Sequence, residues 1–215
     1  GYQLRPYQLE VRDGVRVHRA PLYISHDANP ARRAANYLSF GAGAGALAER
    51  ALGRSDAVLV VPSPPFAAAP ALVLRKRRGI PFVLDIQDLW PQSVTASGML
   101  GGGAVSRAES ALHRVMDHLY RQAAHIAVSS PGMADVIAAR GVPADKLSFV
   151  SNWADETRFH PLSGPVEADL AGELGPRREF TVMYAGAMGE VQGLDTVLEA
   201  AALLRDHRDI GFLLV

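Results

Sequence analysis

The 215 residues contain no cysteine, so disulfide frameworks, thiolate nucleophiles and cysteine-held metals are excluded. Lysine is nearly absent: Lys76 and Lys146 stand alone, and every other one of the 22 basic residues is arginine. That bias suits phosphate recognition, although genomic base composition accounts for it without any function. Neither sign of charge is in excess, since basic and acidic residues both total 22. No net field therefore selects nucleic acid or an acidic partner, and basic residues are not interleaved with aromatics. No uncharged apolar run reaches the ~18 residues of a membrane span. Gly1 to Asp13 alternates polar and charged groups and lacks the apolar core of a secretory signal. Those absences set the cytoplasm as the expected compartment. The seven histidines show neither His-Glu-x-x-His nor His-x-His, and no serine sits in a Gly-x-Ser-x-Gly elbow. Phosphate loops ending in Gly-Lys-Ser/Thr and dinucleotide Gly-x-Gly-x-x-Gly turns are also missing, which disfavours kinases and NAD enzymes.

What is present reads as a globular α/β chain. Apolar residues make up 48% and charged residues 20%, enough for a real core. Val15 and Val17 alternate with polar residues as an outer strand. Pro30 opens a helix that Gly53 closes near Leu52, and Asp56 to Val61 reads as a strand buried on both faces. A helix over Phe66–Arg78 ends at Gly79, and Ile80–Ile86 is the next strand. Beyond the breaker Gly101-Gly102-Gly103, Ser106 and Glu109 form a capping box. They precede the stripe Val105, Ala108, Leu112, Val115 and Leu119. Strands follow at His125–Ser129 and Leu147–Val150, flanking a helix that Ser130-Pro131 starts and Gly141 ends. Strand and helix alternate on short connections, which predicts a doubly wound, Rossmann-like parallel sheet. Proline and glycine then break the pattern, giving an expected first domain over 1–155, a linker over 156–177 and a second domain over 178–215. In the second, Phe180–Ala185 is a strand and Leu194–Leu204 a helix. The chain starts with Gly1 and stops inside the apolar run Gly211–Val215, so it is expected to be a segment of something longer.

The strand ending at Ile86 delivers Asp85-Ile86-Gln87-Asp88-Leu89-Trp90-Pro91-Gln92-Ser93. In an open α/β sheet, ligands bind at such strand ends. Asp85 and Asp88 can do acid–base work, bind hydroxyls or hold a metal. Asp85 equally suits capping backbone amides in the turn. Trp90 offers a flat face to a sugar ring, or fills core beneath the loop. Ser93 stands just before a short helical stretch, placed to cap it or to donate to an anion. Ser63-Pro64-Pro65 reaches the same sheet edge and either lines the crevice or simply turns the chain.

Farther on, Gly186-Ala187-Met188-Gly189 leaves a strand and precedes a helix. Glycines let backbone N–H groups approach a diphosphate, helped by the helix N-terminus, yet many such turns are only tight turns. The basic run Arg75-Lys76-Arg77-Arg78 sits at a helix C-terminus, where cations complement the dipole; contact with anionic headgroups is the alternative. The helix from Arg32 to Leu52 is small and apolar after two arginines. It suits a membrane surface, or close packing through Gly41 and Gly45.

The Asp85–Ser93 stretch resembles the Asp-x-Arg-Asp-Leu-Trp-Pro-Glu-Ser stretch of glycosyltransferase family 4, in the branch that builds bacterial surface polysaccharides. Tyr184-Ala185-Gly186-Ala187-Met188-Gly189-Glu190-Val191-Gln192-Gly193-Leu194-Asp195 resembles the start of that family's donor-binding domain. Val15–Asp27, Asn36–Phe40, Ala127–Gly132 and Ser151–Asp155 are similar as well. The resemblance implies the GT-B fold, with two Rossmann-like domains and the active site between them. It implies sugar transfer from a nucleotide-sugar, with UDP the expected nucleotide, to a lipid-linked or saccharide acceptor. Retention at the anomeric carbon, no metal and no further cofactor are implied too. On it, Asp88 and Asp85 are the catalytic candidates and Trp90, Ser93 and Ser63 line the acceptor side. Gly186, Met188, Gly189, Gln192 and Gly193 lie against the donor, and a peripheral contact with the inner membrane face is expected.

Gln87 and Gln92 depart from the family's usual arginine and glutamate. The family's opening strand and glycine-rich loop have no counterpart here, nor does its glutamate pair, so this segment alone is expected to transfer no sugar. Two other readings share the features: a non-hydrolysing sugar-nucleotide 2-epimerase, and a non-catalytic adaptor for a membrane-bound assembly.

Overall fold

In the computed structural model the described residues are 7–25, 29–93, 105–161, 178–189 and 192–215. The chain divides into two compact units, Gly1–Asn152 and Trp153–Val215.

The first unit opens with an antiparallel hairpin of β1 (Gln8–Arg12) and β2 (Val15–Arg19). Asp13 and Gly14 close it at φ 49° and 81°, the left-handed pair of a two-residue turn that Asp-Gly favours. Glu10 accepts from Arg19 and lies 3.0 Å from Arg12; the Arg19 bond foremost holds its carboxyl below the usual range. Helix α1 (Pro30–Leu52) has the bounds the sequence predicted. The Asn29 side chain accepts from the amides of Ala31 (2.9 Å) and Arg32 (3.4 Å), and the Gly53 amide donates to Glu49 O. Gly41 and Gly45 are where α1 meets its neighbour. A Cβ at Gly41 would lie 3.0 Å from Phe66 O, and one at Gly45 would lie 3.6 Å from the Ala69 Cβ. Close packing is thus what the glycines serve.

Strand β3 (Val58–Val60) leads through a 3-10 turn at Pro65–Ala68 into α2 (Ala69–Arg78), which Gly79 stops at φ 70°. Arg77 and Arg78 each reach Glu49 at 3.1 Å, and Arg75 Nε donates to Gln122 at 3.1 Å, so much of the basic run ties helix ends together. Next come β4 (Phe82–Ile86), α3 (Val105–Gln122), β5 (His125–Val128), α4 (Pro131–Ala138) and β6 (Leu147–Phe149). The sheet is parallel in the order β3-β4-β5-β6, with Val60 opposite Leu84 and Asp85 opposite Ala127. This is a Rossmann-like α/β unit, as the alternating pattern predicted. No helix among the described residues is long and apolar enough to cross a membrane.

Phe82, Leu84 and Ile86 point into the core with Ile126, Val128 and Ile137. Full burial of each such side chain is worth about 1.5–3 kcal/mol. On α3 the apolar stripe is centred differently from the expected one. Leu119 is buried, but Met116 and Tyr120 lie as deep, because the chain reads them on the side turned to the sheet. The Gly101–Gly103 breaker lies outside the described residues, and so does the Ser106 side chain on which the expected cap depends. Strand β3 departs from expectation: Leu59 is 69% exposed. Val58 and Val60 pack on the core side, and the face that carries Leu59 is not covered among the described residues.

Among the described residues the second unit holds one β-α-β unit, from β7 (Phe180–Tyr184) through α5 (Asp195–Leu203) to β8 (Ile210–Leu214). β7 and β8 pair in parallel, Tyr184 opposite Leu214.

Candidate functional site

The burial of β4 alternates, with Phe82, Leu84 and Ile86 inward and Val83 and Asp85 half-buried on the other face. Period-two geometry thus puts Asp85 off the core, and the chain bends immediately after Ile86. Because β3 and β4 are parallel neighbours, the segment after Val60 leaves the sheet at the same edge. That brings Ser63 to Asp88: Ser63 Oγ donates to Asp88 Oδ2 at 2.7 Å, and both residues are exposed. Asp85 accepts instead from Gln87 Nε2 at 2.7 Å. Gln87 is the residue that replaces the family's arginine, and its side chain is spent on this bond. The partner of Asp85 is thus a side-chain amide, where the sequence had offered backbone amides.

Trp90 is half-buried. It packs against the core and meets Tyr37 of α1 edge-on, ring centroids 6.3 Å apart at 83°. Ser93 is already inside the helical turn it was expected to precede, its amide donating to Leu89 O at 2.8 Å. Only its hydroxyl is left for a cap or an anion.

Beneath this turn lies a residue the sequence did not reveal. The Arg140 side chain, 15% exposed, donates through Nε and Nη2 to Asp117 Oδ1 at 2.9 and 2.6 Å. It also donates to His113 O at 3.0 Å and to Trp90 O at 3.5 Å, and its guanidinium stands 5.2 Å from the Tyr120 ring centre. One arginine thus joins the end of α4, the middle of α3 and the Trp90 turn. In the sequence it reads only as a cation near a helix C-terminus before Gly141. The Tyr120 hydroxyl is buried with no hydrogen-bond partner among the described residues, and burial pushes its pKa up to about 12.

In the second unit, Gly186, Met188, Gly189, Gln192 and Gly193 share one loop between β7 and α5; Glu190 and Val191 are outside the described residues. The loop is braced from within. The Gly186 amide donates to Val215 O at 2.9 Å, the Tyr184 hydroxyl to Ala187 O at 2.8 Å, and the Gly189 amide to Gln192 Oε1 at 3.0 Å. Gly193 sits at φ 59° ahead of α5, where a left-handed residue is needed. Met188 is 57% exposed. Asp195, in the first turn of α5, complements the helix dipole. The two expected clusters are therefore each assembled, one per unit. Among the described residues no group of three or more His, Cys, Asp or Glu can hold a metal ion.

The family profile of the glycosyl transferase 4-like domain matches residues 1–153. WcaI of Escherichia coli (strain K12), named for glycosyl transfer in colanic acid biosynthesis, is 31% identical over 198 residues. The match covers 89% of this chain and 47% of that protein. WbjE of Pseudomonas aeruginosa, named as a glycosyltransferase, is 24% identical over 155 residues, 72% of this chain and 38% of that protein. The alpha-galactosylglucosyldiacylglycerol synthase of Streptococcus pneumoniae (strain ATCC BAA-255 / R6) is 26% identical over 89 residues, 41% of this chain and 24% of that protein. The chain spans about half the length of WcaI and less of the other two. On the profile match over residues 1–153, the chain belongs to the glycosyl transferase 4-like family.

Proposed function

We propose that the complete protein is a retaining glycosyltransferase that moves a sugar from a nucleotide-sugar, UDP-linked by preference, to a lipid-linked or saccharide acceptor in surface polysaccharide synthesis. The observation that carries the proposal is the exposed Asp88 carboxylate at the exit of the parallel sheet, held by Ser63 at 2.7 Å, in a chain of this family. The names of the relatives, which include polysaccharide and glycolipid syntheses, support the same class. On this reading the first unit serves the acceptor and the second the donor.

In the reaction, the bond from the anomeric carbon to the diphosphate oxygen breaks and a bond to the acceptor oxygen forms on the same face of the sugar. The acceptor's proton leaves with the diphosphate. No protein nucleophile is required; the gain comes from positioning and from stabilising the departing charge. Asp88 is suited to accept a hydrogen bond from a sugar or acceptor hydroxyl, with Ser63 fixing its rotamer. Gly189 is suited to donate its amide to the diphosphate once Gln192 releases it. Asp85, tied to Gln87, orients the turn.

The test is transfer by the complete protein to a lipid-linked acceptor extract, with a panel of UDP-, GDP- and dTDP-sugars. Transfer from one donor supports the proposal. A sugar nucleotide that is epimerised, or bound without transfer, overturns it.

A further inference from the structure

A cavity of about 400 Å³ opens between the last turns of α3 and the turn that joins α4 to β6. Asp117, Arg121, Arg140, Val142, Pro143 and Lys146 are among the residues that line it. This is the edge at which β5 and β6 begin, whereas Asp88 follows the end of β4. The volume lies within the ~300–1,000 Å³ of small-ligand sites.

Three cations line the cavity against one carboxylate, and each keeps a donor to spare. Arg140 spends Nε and Nη2 on Asp117 Oδ1 and His113 O, while Nη1 has only the 3.5 Å contact with Trp90 O. An Nη1 hydrogen is thus left without an acceptor among the described residues. Lys146 Nζ donates to Tyr120 O at 2.6 Å and to Arg121 O at 3.2 Å, which leaves its third hydrogen. Burial, and after it the Arg75 charge, lowers the Lys146 pKa from its ordinary value. The Arg121 side chain, exposed in the last turn of α3, has no hydrogen bond or ion pair among the described residues. A cation there complements the helix dipole, but Lys146 already meets two of the carbonyls through which that dipole acts. Asp145 stands beside Lys146 in the sequence, yet it does not line the cavity and pairs with neither cation among the described residues.

We infer that this cavity binds the phosphoryl group of a small, soluble phosphomonoester through Arg121, Lys146 and the free Nη1 hydrogen of Arg140. Guanidinium forks and an ammonium match a tetrahedral oxyanion. Three cations against one acid leave an excess of two positive charges, which a phosphomonoester near pH 7 offsets almost fully. Val142 and Pro143 offer the organic part of the ester an apolar wall. The site goes beyond the transferase reading and does not depend on it.

The test is isothermal titration calorimetry of the 215-residue chain, without any sugar nucleotide, against inorganic phosphate and glycerol 3-phosphate. Sodium chloride holds the ionic strength constant. The expected result is saturable binding of both probes at one site. Arg121→Gln removes a group that holds nothing else, so it should weaken binding about tenfold with the unfolding midpoint unchanged. Arg121→Glu should weaken it further, and Arg205→Gln in the second unit should bind as the parent does. No saturable binding, binding that Arg121→Gln leaves unchanged, or an equal loss in Arg205→Gln overturns the inference. Co-sedimentation with phosphatidic acid vesicles separates the sources of the phosphate. A chain retained on those vesicles that binds neither soluble probe recognises a lipid head group, which also overturns it.

Discussion

Replacing Arg140 by methionine should cost the first unit more than any exposed substitution. The change removes the bonds to Asp117 (2.6 and 2.9 Å), His113 O (3.0 Å) and Trp90 O (3.5 Å) while keeping most of the apolar stem. Breaking a buried ion pair typically costs ~3–5 kcal/mol. Asp117 is 37% exposed and regains water once abandoned, so the cost falls at or below the low end, about 2–3 kcal/mol with the orphaned His113 carbonyl included. At a urea slope of ~2 kcal/mol/M, the midpoint should fall by about 1–1.5 M. Trp90 emission in a Trp153→Phe background reads the first unit alone, since Trp153 is 84% exposed and belongs to the second. The double change Arg140→Met/Asp117→Leu should recover to within about 1 kcal/mol of the parent, because no charge is then left unpaired. A single-variant cost under about 0.5 kcal/mol, or a double variant costing the sum of two large losses, would refute the reasoning.

Further outcomes follow from other sites. Tyr120→Phe should be neutral or stabilising near pH 7, because the lost hydroxyl has no partner. It should also flatten the alkaline limb. The native phenol pKa is raised from 10.0 to about 12, so its contribution is full below pH 10 and is lost as the pH rises toward 12. That loss is about 2–3 kcal/mol, read as a difference between parent and variant in urea titrations. Gly41→Val should destabilise by about 1–3 kcal/mol, since even a Cβ there would lie 3.0 Å from Phe66 O; thermal unfolding measures it. Ser130→Ala should cost about 1 kcal/mol by chemical denaturation, because its hydroxyl oxygen accepts from the Met133 amide at 3.3 Å.

What the sequence showed and what it hid divide along the range of the interaction. Helix α1 was legible at both ends because Pro30 and Gly53 are local signals, whereas the Asn29 cap showed only in the structure. The same holds for Gly79 after α2 and Ser130-Pro131 before α4. The hairpin strand β1 was missed although Asp13-Gly14 is a strong turn pair, since the polar alternation from Gln8 onward carries little apolar contrast. The Ser63–Asp88 bond could not be read locally; it needs the parallel register that sets Val60 beside Leu84. Arg140 was hidden for the same reason, its partners lying on α3 and in the Trp90 turn. The motif at Asp85–Ser93 did mark the right edge of the sheet. It did not tell which carboxylate faces outward, because that depends on the bend after Ile86 and on the claim Gln87 makes on Asp85.

The most direct measurement of the central claim is labelled-sugar transfer by the complete protein, parent and Asp88→Asn side by side, with donor affinity measured separately. The account predicts transfer by the parent and a drop of about 10²-fold or more in kcat for Asp88→Asn, with nucleotide-sugar binding retained. Equal rates for the two proteins would contradict the assignment of the Ser63–Asp88 edge as the reacting site.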